Sequence, residues 1–451
     1  MKRHYYRYIQ VVGLLLFFAG VFIACKKNSP EVYTETMEVK IVHTEESALV
    51  ARVEVSGTQH ADIQVRYREK GEQEFIYSTK SIGKREHVVP LFHLKENTVY
   101  EVEIGVIEAG HSMPDFKGGY TFTSAPIPSW VKEFYKEEEN RLNDPLPGYY
   151  LFASMSAPGC MYMVDSQGKL IWYQTTPYVI KSVHLTPVNT ILSIQDSNGT
   201  PFGDGNIVLE YSLSGDTLFH LQHGQRGFDK WVHHDLIRSQ NGSMVAITNV
   251  FDGNNIPGDG LVQWDPTGNK IWEWTTFDVP DELDPLLREQ PWINSIDIDH
   301  DGHYLVSLRA VHQIWKIHSK TGKVLWKLGQ NGNIQMDEET LFLRQHYAYR
   351  TESGEIMLFD NGDISRPYSR VLSFSIDEEN RIAKTMIDLR LPEQYYSPIM
   401  GNAKLLPDGN ILVASSSKNK AIKITPTGEV LWEMNTKSGI YRIEYLPNPF
   451  E

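Results

Sequence analysis

The sequence predicts an all-β protein, a six-bladed β-propeller preceded by a β-sandwich domain. Three observations predict it. Residues 35–124 are short alternating apolar and polar runs broken by turn residues. Beyond them, a turn glycine followed by an apolar strand, usually with a tryptophan, recurs at intervals of about 50 residues. Finally, the two halves of a second repeated phrase stand at opposite ends of that repetitive region. At 451 residues the chain exceeds one ordinary core. Its 41% hydrophobic, 22% charged and 11% aromatic residues are those of a folded globular protein. A formal net charge of -14 argues against nucleic acid and against a basic membrane-binding surface, leaving small neutral ligands or locally steered anions.

In chain order, MKRHYYRYIQVVGLLLFFAGVFIACKK places Lys2, Arg3 and Arg7 before an apolar run, Val11 to Ala24, that ends at Cys25. The run is too short for a good membrane span and reads as a secretory signal over residues 1–25. Phe22-Ile23-Ala24-Cys25 resembles a bacterial lipobox, which would make Cys25 the lipidated first residue of an exported lipoprotein. Such a protein sits in the periplasm or at the outer membrane and meets the membrane through its lipid anchor only; a retained, uncleaved anchor is the alternative. Cys160 is the only other cysteine, so the exported chain has no internal disulfide and depends on packing.

The runs ALVARVEVSG, ADIQVRYREKG, EFIYSTK, HVVPLFHL and TVYEVEIGVIEAG predict an antiparallel sandwich over residues 26–126. Within it, LFHLKENTVYEVEIGV resembles the hallmark of fibronectin type III domains, where a leucine and a tyrosine bracket the turn into a late strand. The charged stretch SWVKEFYKEEENRLNDPLPG, Ser129 to Gly148, predicts a short linker helix closed by Pro145 and Pro147, within a linker of residues 127–147.

Residues 148–451 carry the propeller. The first phrase reads GKLIWYQ at Gly168, GDTLFHL at Gly215, GNKIWEW at Gly268, GKVLWKL at Gly322 and GEVLWEM at Gly428, with a degenerate copy, NRIAKTM, at Asn380. The second is a strand, a turn and a strand: VHLTPVNTILSI, HHDLIRSQNGSMVAIT, NSIDIDHDGHYLVSL, QHYAYRTESGEIMLF and GNAKLLPDGNILVAS. Its sixth copy is split between YRIEYLPN near the C-terminus and YYLFASM at Tyr149, as expected of a ring closed by pairing its last strand with its first. The glycines and tryptophans are then turns and inter-blade packing, with no cofactor box.

Eight residues before the turn positions Asn189, Gly242, Gly302, Gly354 and Gly409 stand Lys181, His234, Asn294, His346 and Gly401. First strands line a propeller's channel, so these positions are expected to converge on one mouth. Strand alternation places His233 and His234 on opposite faces, and neither H-x-H nor H-E-x-x-H occurs, so no metal site is expected. The Asp- and Gly-rich loops DSNGTPFGDG and FDGNNIPGDG lack a regular ligand series and read as turns. There is no G-x-S-x-G elbow, no Walker loop and no cysteine set beside a histidine. What remains is imidazole chemistry beside a cation, Arg309, at the end of HYLVSLR. An imidazole can attack a phosphoryl or sulfuryl group, a second can move the proton, and a guanidinium can hold the oxygens. A single histidine ordinarily serves a structural hydrogen bond; two at equivalent ring positions ask for more.

Taken in order, HHD at 233–235, NSIDIDHDGHYLVSLR at 294–309, IHSKTGKVLWKLG at 317–329, QHYAYR at 345–350, FDNG at 359–362 and GNAKLLPDGNILVASS at 401–416 resemble the PAPS-independent arylsulfate sulfotransferases. Those are bacterial periplasmic six-bladed propellers with an N-terminal β-sandwich. The resemblance implies transfer of a sulfuryl group from a phenol ester to another phenol by a ping-pong route through a sulfohistidine, without a cofactor. It places the nucleophile at His346, the arginine that steadies the transferred group at Arg309, and an acid/base histidine at His234, with His233 as the alternative. Trp292, Asn294, His312 and Lys181 are the candidates for holding the substrate, a small phenolic sulfate or phenol.

One position departs from the family. It usually reads H-x-N-S where this chain has Trp292-Ile293-Asn294-Ser295, so Trp292 replaces an active-site histidine. Either another group such as His312 substitutes, or the substrate differs, or transfer has been lost. An aryl-sulfate sulfotransferase is the leading expectation. A lipid-anchored binding protein that captures sulfated or aromatic ligands without turnover is the alternative, with the Trp292 indole as a ring platform. A structural scaffold, its channel groups satisfied internally, is the third.

Overall fold

The turn positions inferred from the repeats are where the backbone turns. The computed structural model describes residues 37–450 except 44, 108–112, 135–140, 143–145, 199–203, 284–290 and 438. In it Gly168, Gly215, Gly268, Gly322 and Gly428 have φ of 71° to 96°, a region only glycine enters without strain. The second set behaves alike: Asn189, Gly242, Gly302, Gly354 and Gly409 all have positive φ, and each donates its N–H to the carbonyl three residues back at 2.8 to 3.1 Å. In the degenerate copy the left-handed residue is Arg381, one place after Asn380.

The chain divides into two compact units, one of residues up to Pro128 and one from Ser129 to Pro449, with Ile171–Tyr173 and the last two residues grouped with the first. In the N-terminal unit the alternation predicts separate strands in ALVARVEVSG and ADIQVRYREKG, but Ala51–Glu69 is one strand of 19 residues. Its first half pairs with Glu38–Val42 and Ser81–Leu91, its second with Ile76–Tyr77 and Val99–Ile107, and the last of these pairs with Asp115–Thr123. The polar residues Thr58–His60 look like a turn in the sequence. They are exposed yet extended, because pairing to the 81–91 strand shifts register there, between Ser56 and Ala61, and lets the chain change partners without reversing. Val53, Val55, Ile63, Val65, Tyr67, Val89, Val102 and Ile104 from these pairings share one buried cluster. The Tyr100 hydroxyl accepts the Lys95 N–H at 2.7 Å, closing the turn that Leu94 and Tyr100 bracket.

The C-terminal unit is a β-propeller, in which the described residues form six antiparallel sheets. The strands Val179–Leu185, Ile293–Ile298, His346–Arg350 and Asn402–Leu405 each begin a sheet, Val232–Arg238 follows the two-residue strand Asp204–Gly205 in its own, and each of the five lies beside the next. Consecutive sheets stack through shared apolar clusters. Ile247, Leu261 and Trp274 meet Ile296, Tyr304 and Val306; Leu305, Ile314 and Trp326 meet Leu358, Leu372 and Phe374. The ring closes as the split phrase predicts: Glu444–Leu446 pairs with Tyr149–Ala153, Glu444 opposite Leu151. Across that closure Tyr150 stacks on Trp432 with ring centres 4.6 Å apart.

The expected linker helix is a single turn, Ser129–Lys132, too short to nucleate a helix of its own. Arg141–Leu142 instead adds a fifth strand, pairing with Trp432 and Glu433. The expected signal, Cys25 and residues up to 36 lie outside the described residues. Cys160 is fully buried, and burial pushes its thiol pKa up.

Candidate functional site

Strand Val232–Arg238 pairs His233 with Ile247 and then Leu236 with Ala246, so His234 and Asp235 are extra residues in a bulge, with His234 at φ +58°. A bulge cancels the face alternation that separates neighbouring side chains. The two imidazoles therefore meet, correcting the expectation from strand alternation: their Nδ1 atoms are 2.7 Å apart and the rings 84° to each other. Strand His346–Arg350 has a shorter bulge, pairing His346 with Phe359 and Tyr349 with Met357, and its left-handed residue is Tyr347. Counting back from the turn sets His234 level with His346. The pairing makes His233 the equivalent of His346 instead, because the first bulge holds one residue more.

His346 is 3% exposed, and its orientation is dictated by Asn361. The Asn361 amide nitrogen donates to the Ser397 and Met400 carbonyls at 2.7 and 2.8 Å, so its oxygen must face the ring. That oxygen is 2.6 Å from His346 Nδ1, and the Arg344 carbonyl is 3.2 Å from the same atom. Two acceptors require a proton on Nδ1, which leaves the Nε2 lone pair bare for attack. Asn361 belongs to FDNG and was legible as part of a motif, but its role was not.

Burial pushes the His346 pKa down to about 3, with the positive charges of Arg309 and Arg442 adding to it and the Asn361 hydrogen bond opposing. His234 is likewise held well below 6.5, by burial first and then by His233, His346, Arg442 and Arg309. The two histidines and two arginines thus share one electrostatic neighbourhood, and both imidazoles are neutral at pH 7. A histidine depressed on folding contributes stability that is complete above 6.5 and is lost as pH falls toward 3. Chemical unfolding followed across that window should show the wild type losing stability with acid more steeply than His346→Asn.

The Arg309 N–H donates to the Trp292 carbonyl at 3.0 Å, and its guanidinium lies 5.2 Å from the Trp292 ring centre. Trp292 is 40% exposed at φ +57°, so it presents an indole face beside that cation. His312 Nδ1 accepts the Arg344 N–H at 3.0 Å, and burial, then Arg344, keep the ring neutral. Its proton is therefore on Nε2, which makes it a hydrogen-bond donor and leaves it no lone pair with which to act as a base.

Arg442, which the sequence reading missed, comes from the closing phrase YRIEYLPN. Its guanidinium donates to Asp235 at 2.5 Å and to the Asn294 carbonyl at 2.8 Å, between the rings of Tyr347 and Tyr441. Asp235 holds it charged, keeping its pKa raised. Two of the other ring positions are committed elsewhere. Lys181 faces the buried Asp196 at 3.5 Å. Asn294 is fully buried and gives one amide N–H to the Gln345 carbonyl at 2.7 Å, tying two sheets together.

Among the described residues no group of three or more His, Cys, Asp or Glu is placed to hold a metal ion. In FDGNNIPGDG the Asp252 carboxylate accepts the N–H groups of Asn254 and Ile256, as in a plain turn. Part of DSNGTPFGDG, residues 199–203, lies outside the described residues.

Several solved structures are similar to this chain. One is a Bacteroides caccae protein of unknown function, 12% identical, with 67% of this chain and 100% of that chain covered and a TM-score of 0.43. A second is a catalytically inactive virginiamycin B lyase from Staphylococcus aureus with quinupristin, 9% identical, covering 68% and 96%, TM-score 0.39. A third, from Bacteroides thetaiotaomicron and also of unknown function, is 11% identical, covering 93% and 100%, TM-score 0.35. No curated protein sequence matches. The model of the arylsulfotransferase (ASST) family matches residues 131–446, more than two thirds of the sequence and nearly all of the propeller. The chain belongs to the arylsulfotransferase family.

Proposed function

We propose that the protein transfers a sulfuryl group from an aryl sulfate to a phenol through a sulfohistidine at His346. Family membership supports aryl sulfotransfer in general. The observation that carries the route is the Asn361 clamp, which leaves His346 neutral with a bare Nε2. That atom attacks sulfur, the S–O bond breaks, and its electron pair leaves on the phenolate oxygen. The Arg309 guanidinium balances charge on the sulfuryl oxygens, and the His312 Nε2–H is a further donor near it. The exposed indole of Trp292 supplies a face for the phenol ring where the family has a histidine. The acceptor phenol then takes the sulfuryl group from His346, losing its proton to His234. The signal and lipobox further suggest an exported lipoprotein anchored through Cys25.

The test is intact mass after brief exposure to a chromogenic phenyl sulfate, followed by peptide mapping. One sulfuryl adduct per chain is expected, on the peptide containing His346. Unmodified protein, or an adduct elsewhere, sinks the assignment.

A further inference from the structure

The paired histidines end at a carboxylate. His233 Nε2 lies 3.3 Å from Asp259 Oδ1, a charge contact and not a straight hydrogen bond, and both side chains are buried. Asp259 is itself anchored, its other oxygen accepting the Ile293 N–H at 2.8 Å. A second carboxylate, Asp204, is the strand-pairing partner of His233. A carboxylate only accepts, so the His233 nitrogen facing it carries the proton; a bare nitrogen there would set two acceptors against each other in a dry site. His233 Nδ1 is then bare, and at 2.7 Å it accepts the proton of His234 Nδ1. The Nε2 of His234 is left as a lone pair.

We infer that Asp259 and His233 are positioning residues that fix His234 as the base for the acceptor phenol, the work Trp292 cannot do. The inference rests on the sulfuryl-transfer reading. In the second half-reaction the phenol proton passes to His234 Nε2 as the phenol oxygen bonds to sulfur. The S–N bond breaks and its pair returns to His346 Nε2. The imidazolium so formed is held through its Nδ1–H by His233, backed by Asp259, until its proton leaves to water with the product. Leaving-group departure in the first half-reaction does not use this base.

The experiment compares His233→Phe, Asp259→Asn and His233→Gln with wild type, using 4-nitrophenyl sulfate as donor. Two quantities are read: the initial burst of nitrophenol, and transfer to phenols of graded acidity. For His233→Phe and Asp259→Asn the burst should survive, which also shows that the variant is folded. Transfer to an unactivated phenol should fall by about 100-fold, the lower end of what a general base contributes. Transfer to a phenol acidic enough to be ionised in the assay should stay near wild type. His233→Gln keeps one acceptor and one donor and should restore most of the loss. Equal losses with every acceptor, or a burst lost in both Asp259→Asn and His233→Gln, overturn the positioning role alone. No burst from the wild type overturns the transfer reading and this inference with it.

Discussion

Replacing His346 by asparagine should abolish turnover of aryl sulfates, with a loss of at least about 10⁴-fold in kcat, because nothing else near the site can form the covalent intermediate. Two other histidines and two arginines are disqualified by their bonding or charge. The His312 Nε2 carries a proton, since its Nδ1 accepts the Arg344 N–H. His233 is closed between His234 and Asp259. Arg309 and Arg442 are always cationic. His234 keeps a bare nitrogen, but its positive-φ bulge position and its coupling to His233 suit it to moving a proton. The measurement is steady-state nitrophenol release with a phenol acceptor, alongside thermal unfolding to show that the fold persists. Activity within tenfold of wild type, with the protein folded, would mean that another group is the nucleophile.

The largest effect on stability should come from Asp235→Ala. Asp235 and Arg442 are each 2% exposed and joined at 2.5 Å, and the second Asp235 oxygen accepts the Ile296 N–H at 3.0 Å. Removing the carboxylate strands a buried guanidinium and a buried amide, a class of change that costs about 3–5 kcal/mol. Adding Arg442→Met to Asp235→Ala removes the orphaned charge and should recover a large part of the loss, a non-additivity characteristic of contacting partners. Urea unfolding of the two single variants and the double gives the coupling directly. Simple additivity would mean that the two side chains do not depend on one another.

The propeller was legible because its turns are chemically demanding: a left-handed backbone position needs glycine or asparagine, and a regular spacing of such residues cannot be hidden. Ring closure was legible for a similar reason, since half a phrase at each end has no other use. The site was only partly legible. His346, Arg309 and His234 were singled out by resemblance, and the structure shows them in one electrostatic neighbourhood. The contact between His233 and His234 was not, because a bulge adds residues without altering the apolar pattern around it; Val232 and Leu236 remain inward-facing on either side. Asn361 and Arg442 were missed since their value lies in partners distant in sequence: Ser397 and Met400 for one, Asp235 for the other. Lys181 and Asn294 show the converse, with equivalent positions in the repeat put to unlike uses.

The closing strand has a kinetic consequence. Glu444–Leu446 pairs with residues about 295 positions earlier in the chain, among the least local contacts in the propeller, and such contacts carry a large loop-closure entropy and form slowly. Arg442 lies just before that strand, so the guanidinium that helps hold both histidines neutral reaches them only when the ring shuts. Catalytic competence during refolding should therefore lag behind the formation of the individual sheets, and under mild denaturant it should vanish first, when the circle opens at its seam while most of its strands are still paired.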